Sequence, residues 1–414
     1  MDISQGLAAL AKSGDVLFLV WGAVLVFSMH AGFAFLEAGT VRRKNVVNAF
    51  TKIIVDWAFS TVAYFFVGFP LAYGISFLIP AAELQGANHG FSLVRFFFML
   101  TFAAAVPAII SGGIAERAKF LPQAIAGGII VGLIYPFFEA MVWGQFDLLG
   151  QPTAALAMSL GAPFHDYAGS VVVHAVGGWL ALPAMLVLGP RIGRWVHGRS
   201  NPLPSHSIPF ISLGSWLLMI GWFGFNVGSA GGLQNISGLV AVNSLLALVG
   251  GALAALLVAK GESIALHNGA LAGLIAVCAG SDVVHPVAAL LIGAVAGLIF
   301  VFGSRWEAEH LKIDDVLGVW PLHGLAGTWG GVAAGIFGSA ALGGLGGVNL
   351  GSQVLGTLVG ITLAMAAGFV IYKTLDLVVG LRLTPEQEER GCDLCLHGSE
   401  AYPEDAIALN SVSV

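Results

Sequence analysis

Two histidines in apolar surroundings are the residues of this 414-residue sequence best suited to chemistry. His174 lies in VVVHAVGGW and His323 lies in WPLHGLAGTW, so aliphatic and small residues surround each imidazole. An ionisable group in so apolar a segment is by default a functional site. Two neutral rings share one hydrogen bond and still offer a lone pair or an N–H to a small guest. The pair suits a small polar molecule or a proton relay, and the alternative is two unrelated core histidines.

Aromatic residues at helical spacing form a second candidate site. Phe98 and Phe102 are four residues apart, as are Phe225 and Ser229, so each pair shares a helix face. With Trp143, they predict a cup that binds a cation through aromatic faces and one hydroxyl. Beneath it, Phe102 and Phe225 are expected to close a hydrophobic constriction. The alternatives are an interfacial belt residue for Trp143 and packing bulk for the phenylalanines.

Other polar positions receive structural interpretations. Asp166 opens DYAGSVVVH, where we expect a helix N-cap that also gives electrostatic support to an arriving cation, without ligating it. Lys52 and Asp56 are four residues apart, which predicts a structural ion pair. Contacts between packed helices are expected for three further side chains, His30, Glu37 and His267.

The composition requires a membrane environment for these residues. The chain is 57% hydrophobic and 10% charged, with a mean hydropathy of +0.89. Soluble domains have about 25% charged residues, so this chain has too few to cover its surface for water. Its 57 glycines are typical of closely packed membrane helices. The net charge of −6 gives no reason to expect a nucleic-acid partner.

The three cysteines exclude a dense disulfide framework. The single CxxC pair of CDLCLH, Cys392 and Cys395, lacks the second pair that a four-ligand zinc site requires. We therefore expect no metal and no cofactor. The sequence also shows no nucleophile–base constellation or phosphate loop in a supporting context, so an enzyme is not expected.

Apolar runs predict an all-α polytopic membrane protein with eleven transmembrane helices, since a spanning helix needs about 20 apolar residues. The runs lie near 16–36, 48–73, 94–114, 122–143, 167–188, 208–230, 236–259, 263–280, 284–303, 316–337 and 352–378. The eighth run is short.

No cleavable signal peptide is evident, because the first run is long enough to span. Residues 381–414 form a polar tail that we expect to be solvated.

Basic residues predict the orientation of these helices. With the N-terminus outside, fifteen of the 17 lysines and arginines fall on the inner side, and only Lys12 and Arg95 fall outside. Cytoplasmic loops are enriched in basic residues, so the distribution predicts an N-out, C-in topology.

The first ten helices divide into two sets of five, which predicts an inverted repeat over about 15–190 and 207–338. The eleventh helix, 352–378, completes a transmembrane domain over 1–380. His174 lies eight residues after Asp166, and His323 lies seven residues after Val316. Each is roughly 10–12 Å deep from opposite faces. Both rings therefore approach the midplane, where inverted repeats place substrate sites.

The motifs taken together resemble the ammonium transporter family, in its Amt/Mep branch, which is related to Rh proteins. Seven blocks occur in family order over nearly the whole chain: AGFAFLEAGTVRRKN, AERAKF, MVWGQ, DYAGSVVVH, GWFGFNVGSAGG, DDVLGVWPLHG and PEQEERGCDLCLHGSEAY. The intact GWFGFN with Ser229 is similar to the Amt rather than the Rh branch. The chain departs from the family at Met99, where glutamine is frequent, and at Cys392 and Cys395.

The resemblance implies a homotrimer of eleven-helix subunits in the cell (cytoplasmic/inner) membrane, each with its own pore. The family sites fall on an ammonium recruitment site at Trp143, Phe98 and Ser229, a gate at Phe102 and Phe225, a pore at His174 and His323, and a recruitment support at Asp166. The cytoplasmic tail resembles the segment that contacts PII-family signalling proteins.

The implied function is ammonium transport, with methylammonium as an analogue substrate. An isolated cation in an apolar pore faces a desolvation cost of up to tens of kcal/mol, whereas a neutral amine faces only a few. We therefore expect recruitment of NH₄⁺ outside, deprotonation near the phenylalanine gate and passage of NH₃. Whether the proton follows along the histidines stays open at this point. The alternatives are an ammonium sensor with little transport and an Rh-type channel for NH₃ or CO₂.

Overall fold

The computed structural model describes residues 3–85, 87–144, 159–232 and 236–404. Helices dominate the described part of the chain, which otherwise has one short antiparallel hairpin of Trp195–Val196 and Arg199–Ser200. Residues 405–414 of the predicted tail lie outside the described residues.

Eleven helices of the described ranges make up the body, and we number them in chain order. They are α1 Ile3–Thr40, α2 Arg43–Tyr73, α3 Ala87–Ile114, α4 Phe120–Val142, α5 Ser170–Leu188, α6 Ile208–Gly228, α7 Ile236–Val258, α8 Ser263–Val277, α9 Pro286–Leu311, α10 Trp320–Leu325 continued by Ala326–Phe337, and α11 Leu350–Val379. Each predicted apolar run overlaps one of them.

Nine helices in the described ranges are long and apolar enough to cross a membrane. The exceptions are α8, with 15 residues, and α10, in which a six-residue π-helical segment precedes an α-helix of 12 residues. The predicted class, an all-helical membrane protein, is therefore confirmed. The count of eleven crossings stays a prediction.

Glycines hold α1 and α6 in backbone contact. A Cβ atom on Gly214 would lie 2.3 Å from the backbone nitrogen of Leu36, and one on Gly39 would lie 2.6 Å from that of Ile211. Any larger residue at these positions would separate the two helices. The abundance of glycine in the sequence thus serves close helix packing here, as it does in membrane proteins generally.

The ion pair predicted between Lys52 and Asp56 is wrong. Lys52 Nζ instead lies 2.5 Å from Oε1 of Glu37 on α1, and the Ser111 hydroxyl donates to the other Glu37 oxygen at 2.7 Å. Asp56 is buried, and its Oδ2 has no hydrogen-bond partner among the described residues. The packing of α1 against α2 brings Glu37 to the lysine, which a count of positions along α2 alone does not indicate.

The first part of the tail, predicted to be solvated, is packed against the helices instead. Five described side chains beyond α11 are buried, at Leu381, Leu383, Glu388, Cys392 and Asp393. The Asp393 carboxylate accepts hydrogen bonds from the backbone N–H groups of Val47 and Asn48, at 3.0 and 2.9 Å, in the first turn of α2. The prediction failed because a polar sequence does not reveal whether water or protein will satisfy its polar groups.

A buried ion pair between the segment after α5 and the segment before α10 predicts a pH-dependent stability. Asp314 accepts hydrogen bonds from the Arg191 backbone N–H, Nε and Nη2 at 2.8, 2.8 and 2.9 Å. Burial alone would raise the pKa of Asp314, but the hydrogen bonds and charge of Arg191 outweigh it and lower the pKa from 3.8 to about 2. A lowered pKa contributes stability that is complete above the ordinary value and disappears as the pH falls toward 2.

We expect Asp314→Asn to lower the free energy of unfolding at neutral pH by roughly 2 kcal/mol or more. It should also weaken the fall in stability between about pH 4 and pH 2. Thermal unfolding in detergent across this range measures both effects. Asp376→Asn is the matched control, because Asp376 forms an exposed pair with Lys373, so its melting temperature should match the wild type. An unchanged acid limb in Asp314→Asn contradicts the assignment.

Candidate functional site: an aromatic cavity and a buried histidine pair

Asp166 organises the start of α5. Its Oδ2 accepts backbone hydrogen bonds from Val171 and Val172, both at 2.8 Å, and its Oδ1 accepts one from Gly169 at 3.1 Å. Gly169 has φ +95°, a left-handed conformation that glycine adopts without steric cost. The carboxylate thus satisfies the N–H groups of the π-helical segment that ends just after His174.

The start of α10 repeats this arrangement, and the sequence interpretation missed it. Asp315 accepts a hydrogen bond from the Trp320 backbone N–H at 2.8 Å, and Gly318 has φ +70°. Glycine follows the aspartate by three residues and histidine follows it by eight, as in Asp166, Gly169 and His174. The shared pattern D-x₂-G-x₄-H is the signal that identifies Asp315.

The structure brings the two histidines into contact. A Cβ on Gly178 would lie 2.1 Å from the backbone nitrogen of Gly324, so α5 and α10 cross with their backbones touching. Beside this crossing, Nδ1 of His174 lies 3.2 Å from Nδ1 of His323, and the ring centroids are 5.3 Å apart. Both rings are buried: the exposed fraction of His174 is 0% and that of His323 is 5%. The pairing expected from the sequence is therefore present.

The shared hydrogen bond determines what the pair presents to a guest. One facing Nδ1 must donate and the other must accept, so two neutral rings have one shared hydrogen and one more on an Nε2. One Nε2 is then an acceptor and the other a donor, and exchanging the tautomers exchanges these roles. Nε2 of His174 has no partner among the described residues. A small molecule that both donates and accepts hydrogen bonds matches this pair.

Two stacked phenylalanines lie next to the histidines. The rings of Phe102 and Phe225 are 3.9 Å apart with an interplanar angle of 16°, and both side chains are almost fully buried. The Phe225 ring centroid is 5.4 Å from that of His174, and the Phe102 ring is 6.0 Å from Trp143. Aromatic rings thus form a continuous column from Trp143 to His323, and a molecule following it must displace the stacked pair.

A cavity of about 300 Å³, which we call the vestibule, lies at the Trp143 end of this column. All three residues predicted for recruitment line it: Phe98, Trp143 and Ser229. Trp143 Nε1 donates to the Asp166 carbonyl at 2.6 Å, which fixes the indole beside the start of α5. The Ser229 hydroxyl donates to the Phe225 carbonyl at 2.9 Å, so its oxygen lone pairs remain as acceptors. The cavity therefore combines aromatic surface with a hydroxyl acceptor, as a cation site requires.

Phe225→Ala is expected to lower the selectivity of the column for small amines. Removing one ring of the stacked pair widens the constriction. A tight site discriminates against one extra methylene by about 1–3 kcal/mol, and a widened site loses this discrimination. We expect the preference for ammonium over methylammonium to fall by about tenfold, measured by competitive uptake into proteoliposomes. Phe302→Ala is the matched control, since Phe302 is 52% exposed. Unchanged discrimination in Phe225→Ala would argue against a gate.

Known proteins resemble this chain over almost its whole length. The family model described as Ammonium Transporter Family matches residues 16–402. The ammonium transporter Amt2 of Methanocaldococcus jannaschii is 42% identical, covering 98% of this chain and 95% of that protein. The ammonium transporter Amt1 of the same organism is 39% identical, covering 94% and 97%.

Solved structures agree with this match. One described as a sensor Amt protein has a TM-score of 0.85 and 32% identity, covering 94% of this chain and 100% of that chain. Mep2 of Candida albicans has a TM-score of 0.78 and 26% identity, covering 95% and 91%. On the family model and these relatives, the chain belongs to the ammonium transporter family.

Proposed function

We propose that the protein recruits NH₄⁺ in the outer vestibule, removes a proton there, and conducts NH₃ through the histidine pore into the cytoplasm. The observation that supports this most directly is the stacked pair, Phe102 and Phe225, between an aromatic cation cavity and two buried imidazoles. Aromatic faces attract a cation, whereas the stacked rings and the imidazoles beyond them favour a neutral guest.

Desolvation determines where the proton leaves. An ion that entered the dry column would lose its hydration shell at a cost of tens of kcal/mol, whereas an uncharged polar molecule loses only a few. Deprotonation at the vestibule side of the Phe102–Phe225 stack therefore gives the lower barrier. We further propose that the proton follows along the His174–His323 pair. The free Nε2 of one ring accepts it, the shared hydrogen shifts from one Nδ1 to the other, and the second ring releases the hydrogen on its Nε2, which makes transport electrogenic.

The proposed topology has eleven crossings, with the N-terminus outside and the C-terminus in the cytoplasm. At 1.5 Å per residue, α8 is about 22 Å long, which is short of a bilayer core of about 30 Å. The buried turn that follows it, Cys278–Ser281, supports a full crossing.

The proposed domains are a transmembrane transporter over 1–380, with inverted repeats, and a regulatory tail over 381–414. A homotrimer in the cytoplasmic membrane and a PII-family partner at the tail rest on the family resemblance alone.

The test is a current recording on reconstituted protein under an inward ammonium gradient, with methylammonium as a second substrate. We expect saturable currents for both, carried by the same protein that takes up labelled methylammonium. Uptake without current overturns the electrogenic step. Permeability to NH₃ or CO₂ without a substrate-dependent current indicates a gas channel instead.

A second candidate function is ammonium sensing. It is favoured by the packing of the tail, whose Asp393 binds the start of α2, and by the similarity to a solved structure described as a sensor Amt protein. A sensor would bind ammonium with little flux and change the position of its tail. If calorimetry detects ammonium binding but proteoliposomes show no uptake, the result supports sensing rather than transport.

A further inference from the structure

A permanent positive charge lies in the wall of the proposed cation vestibule. Arg95 on α3 lines the same cavity as Phe98, Trp143 and Ser229. Among the described residues that line this cavity, Arg95 is the one with a charged side chain. A guanidinium remains protonated at any pH a protein tolerates. A fixed charge of the same sign as the ligand in its own binding cavity requires an explanation.

Neighbouring side chains hold Arg95 in place. Its Cζ lies 4.3 Å from the centroid of the Tyr73 ring, in a cation–π contact. The Tyr73 hydroxyl donates to Oε1 of Glu139 at 3.0 Å, and the Tyr64 hydroxyl donates to both oxygens of that carboxyl at 2.8 Å. Glu139 is fully buried, and its carboxyl also interacts electrostatically with Arg95. Within the described ranges, no carboxylate lies within ion-pair distance of Arg95, so its charge is only partly compensated and also acts on the cavity that Arg95 lines.

The charge has two effects on an ammonium ion in the vestibule. It repels any cation there, which weakens occupancy severalfold in a partly hydrated site. A neighbouring positive charge also favours the neutral form of an amine over its protonated form. The first effect opposes binding, but the second favours the chemical change that the stacked phenylalanines require before passage.

We propose that Arg95 is a specificity-determining residue of the vestibule, whose fixed charge shortens cation occupancy and favours release of the ammonium proton before the phenylalanine gate. This inference rests on the proposed function. In the step itself, one N–H bond of NH₄⁺ breaks, its electron pair stays on nitrogen, and the proton passes to vestibule water as H₃O⁺. Arg95 acts by its charge alone and exchanges no proton.

Arg95→Gln removes the charge and is the central variant. We expect its half-saturating ammonium concentration to fall about fivefold, because the repulsion is gone. Its maximal uptake rate should fall as well, because the bound ion retains its proton longer. Tetramethylammonium, which has no proton to release, should inhibit Arg95→Gln at about fivefold lower concentration than it inhibits the wild type.

Arg95→Lys is the matched control, because it keeps the charge and loses the planar guanidinium that stacks on Tyr73. It should remain within about twofold of the wild type in both constants. If it behaves like Arg95→Gln, the guanidinium has a structural role and the inference is overturned. Arg95→Met, which keeps an apolar stem over Tyr73, serves if Arg95→Gln does not accumulate in the membrane.

The dependence on ionic strength distinguishes an electrostatic role of Arg95 from a packing role. Between about 0.01 M and 1 M salt the Debye length shrinks from about 30 to about 3 Å, so the difference between wild type and Arg95→Gln should shrink toward zero. A difference that persists in high salt contradicts an electrostatic role. A wild type that takes up no ammonium refutes the proposed function, whereas normal uptake with equal constants in Arg95→Gln overturns this inference alone.

Discussion

The Asp166→Ala protein is expected to lose ammonium uptake by about 100-fold or more. Without the carboxylate, the backbone N–H groups of Gly169, Val171 and Val172 are buried without acceptors. Each such donor costs about 1–3 kcal/mol, and about 1.4 kcal/mol is a tenfold change in an equilibrium. The π-helical start of α5 therefore unwinds locally, and both His174 and the indole of Trp143 lose their positions. Uptake of labelled methylammonium into proteoliposomes, at equal protein content, measures the loss.

Two further variants test this explanation. Asp166→Asn retains one carbonyl acceptor where the carboxylate has two oxygens, so we expect an intermediate loss of about tenfold. Asp376→Ala removes an aspartate from an exposed pair with Lys373 and should leave uptake unchanged. If Asp166→Ala takes up methylammonium within twofold of the wild type, the capping carboxylate does not support the pore.

Replacing the pore histidines with leucine gives the second large effect. In His174→Leu, in His323→Leu and in the double variant, ammonia loses its polar partners in the column beyond the stacked phenylalanines. An uncharged polar molecule in an apolar site without a hydrogen bond costs at least about 2 kcal/mol, so uptake should fall about 30-fold or more in all three. Competitive uptake of ammonium and methylammonium is the measurement.

The ranking of the three histidine variants by stability should differ from their ranking by transport. Each single variant leaves one buried imidazole without its Nδ1 partner, which costs about 1–3 kcal/mol, whereas removing both partners is nearly neutral. We therefore expect melting temperatures to fall in the single variants and to recover in the double variant, although uptake is reduced in all three. Wild-type flux in the double variant would remove the histidines from the mechanism.

Residue types and spacing in the sequence determined the helices and the candidate site. Apolar runs of about 20 residues depend on local composition, so the helical membrane class follows directly. The two histidines stand out because so few ionisable groups occur in these runs. The repeated D-x₂-G-x₄-H pattern also belongs to the sequence, and it identifies Asp315 as the counterpart of Asp166. The contact of His174 with His323 itself depends on the crossing of α5 with α10.

Contacts between helices distant in sequence were decided by the tertiary structure alone. Lys52 pairs with Glu37 rather than Asp56 because of how α1 packs against α2. The tail residue Asp393 reaches the start of α2, although the sequence between them is more than 340 residues long.

The sequence predicted only that Arg95 lies on the outer side of the membrane, whereas the structure places it in the wall of the cavity, over Tyr73. Local spacing determines which residues share a helix face. The rotation and separation of packed helices determine which faces meet, and these depend on the whole set of side chains, including the small glycine contacts of α1 with α6 and α5 with α10.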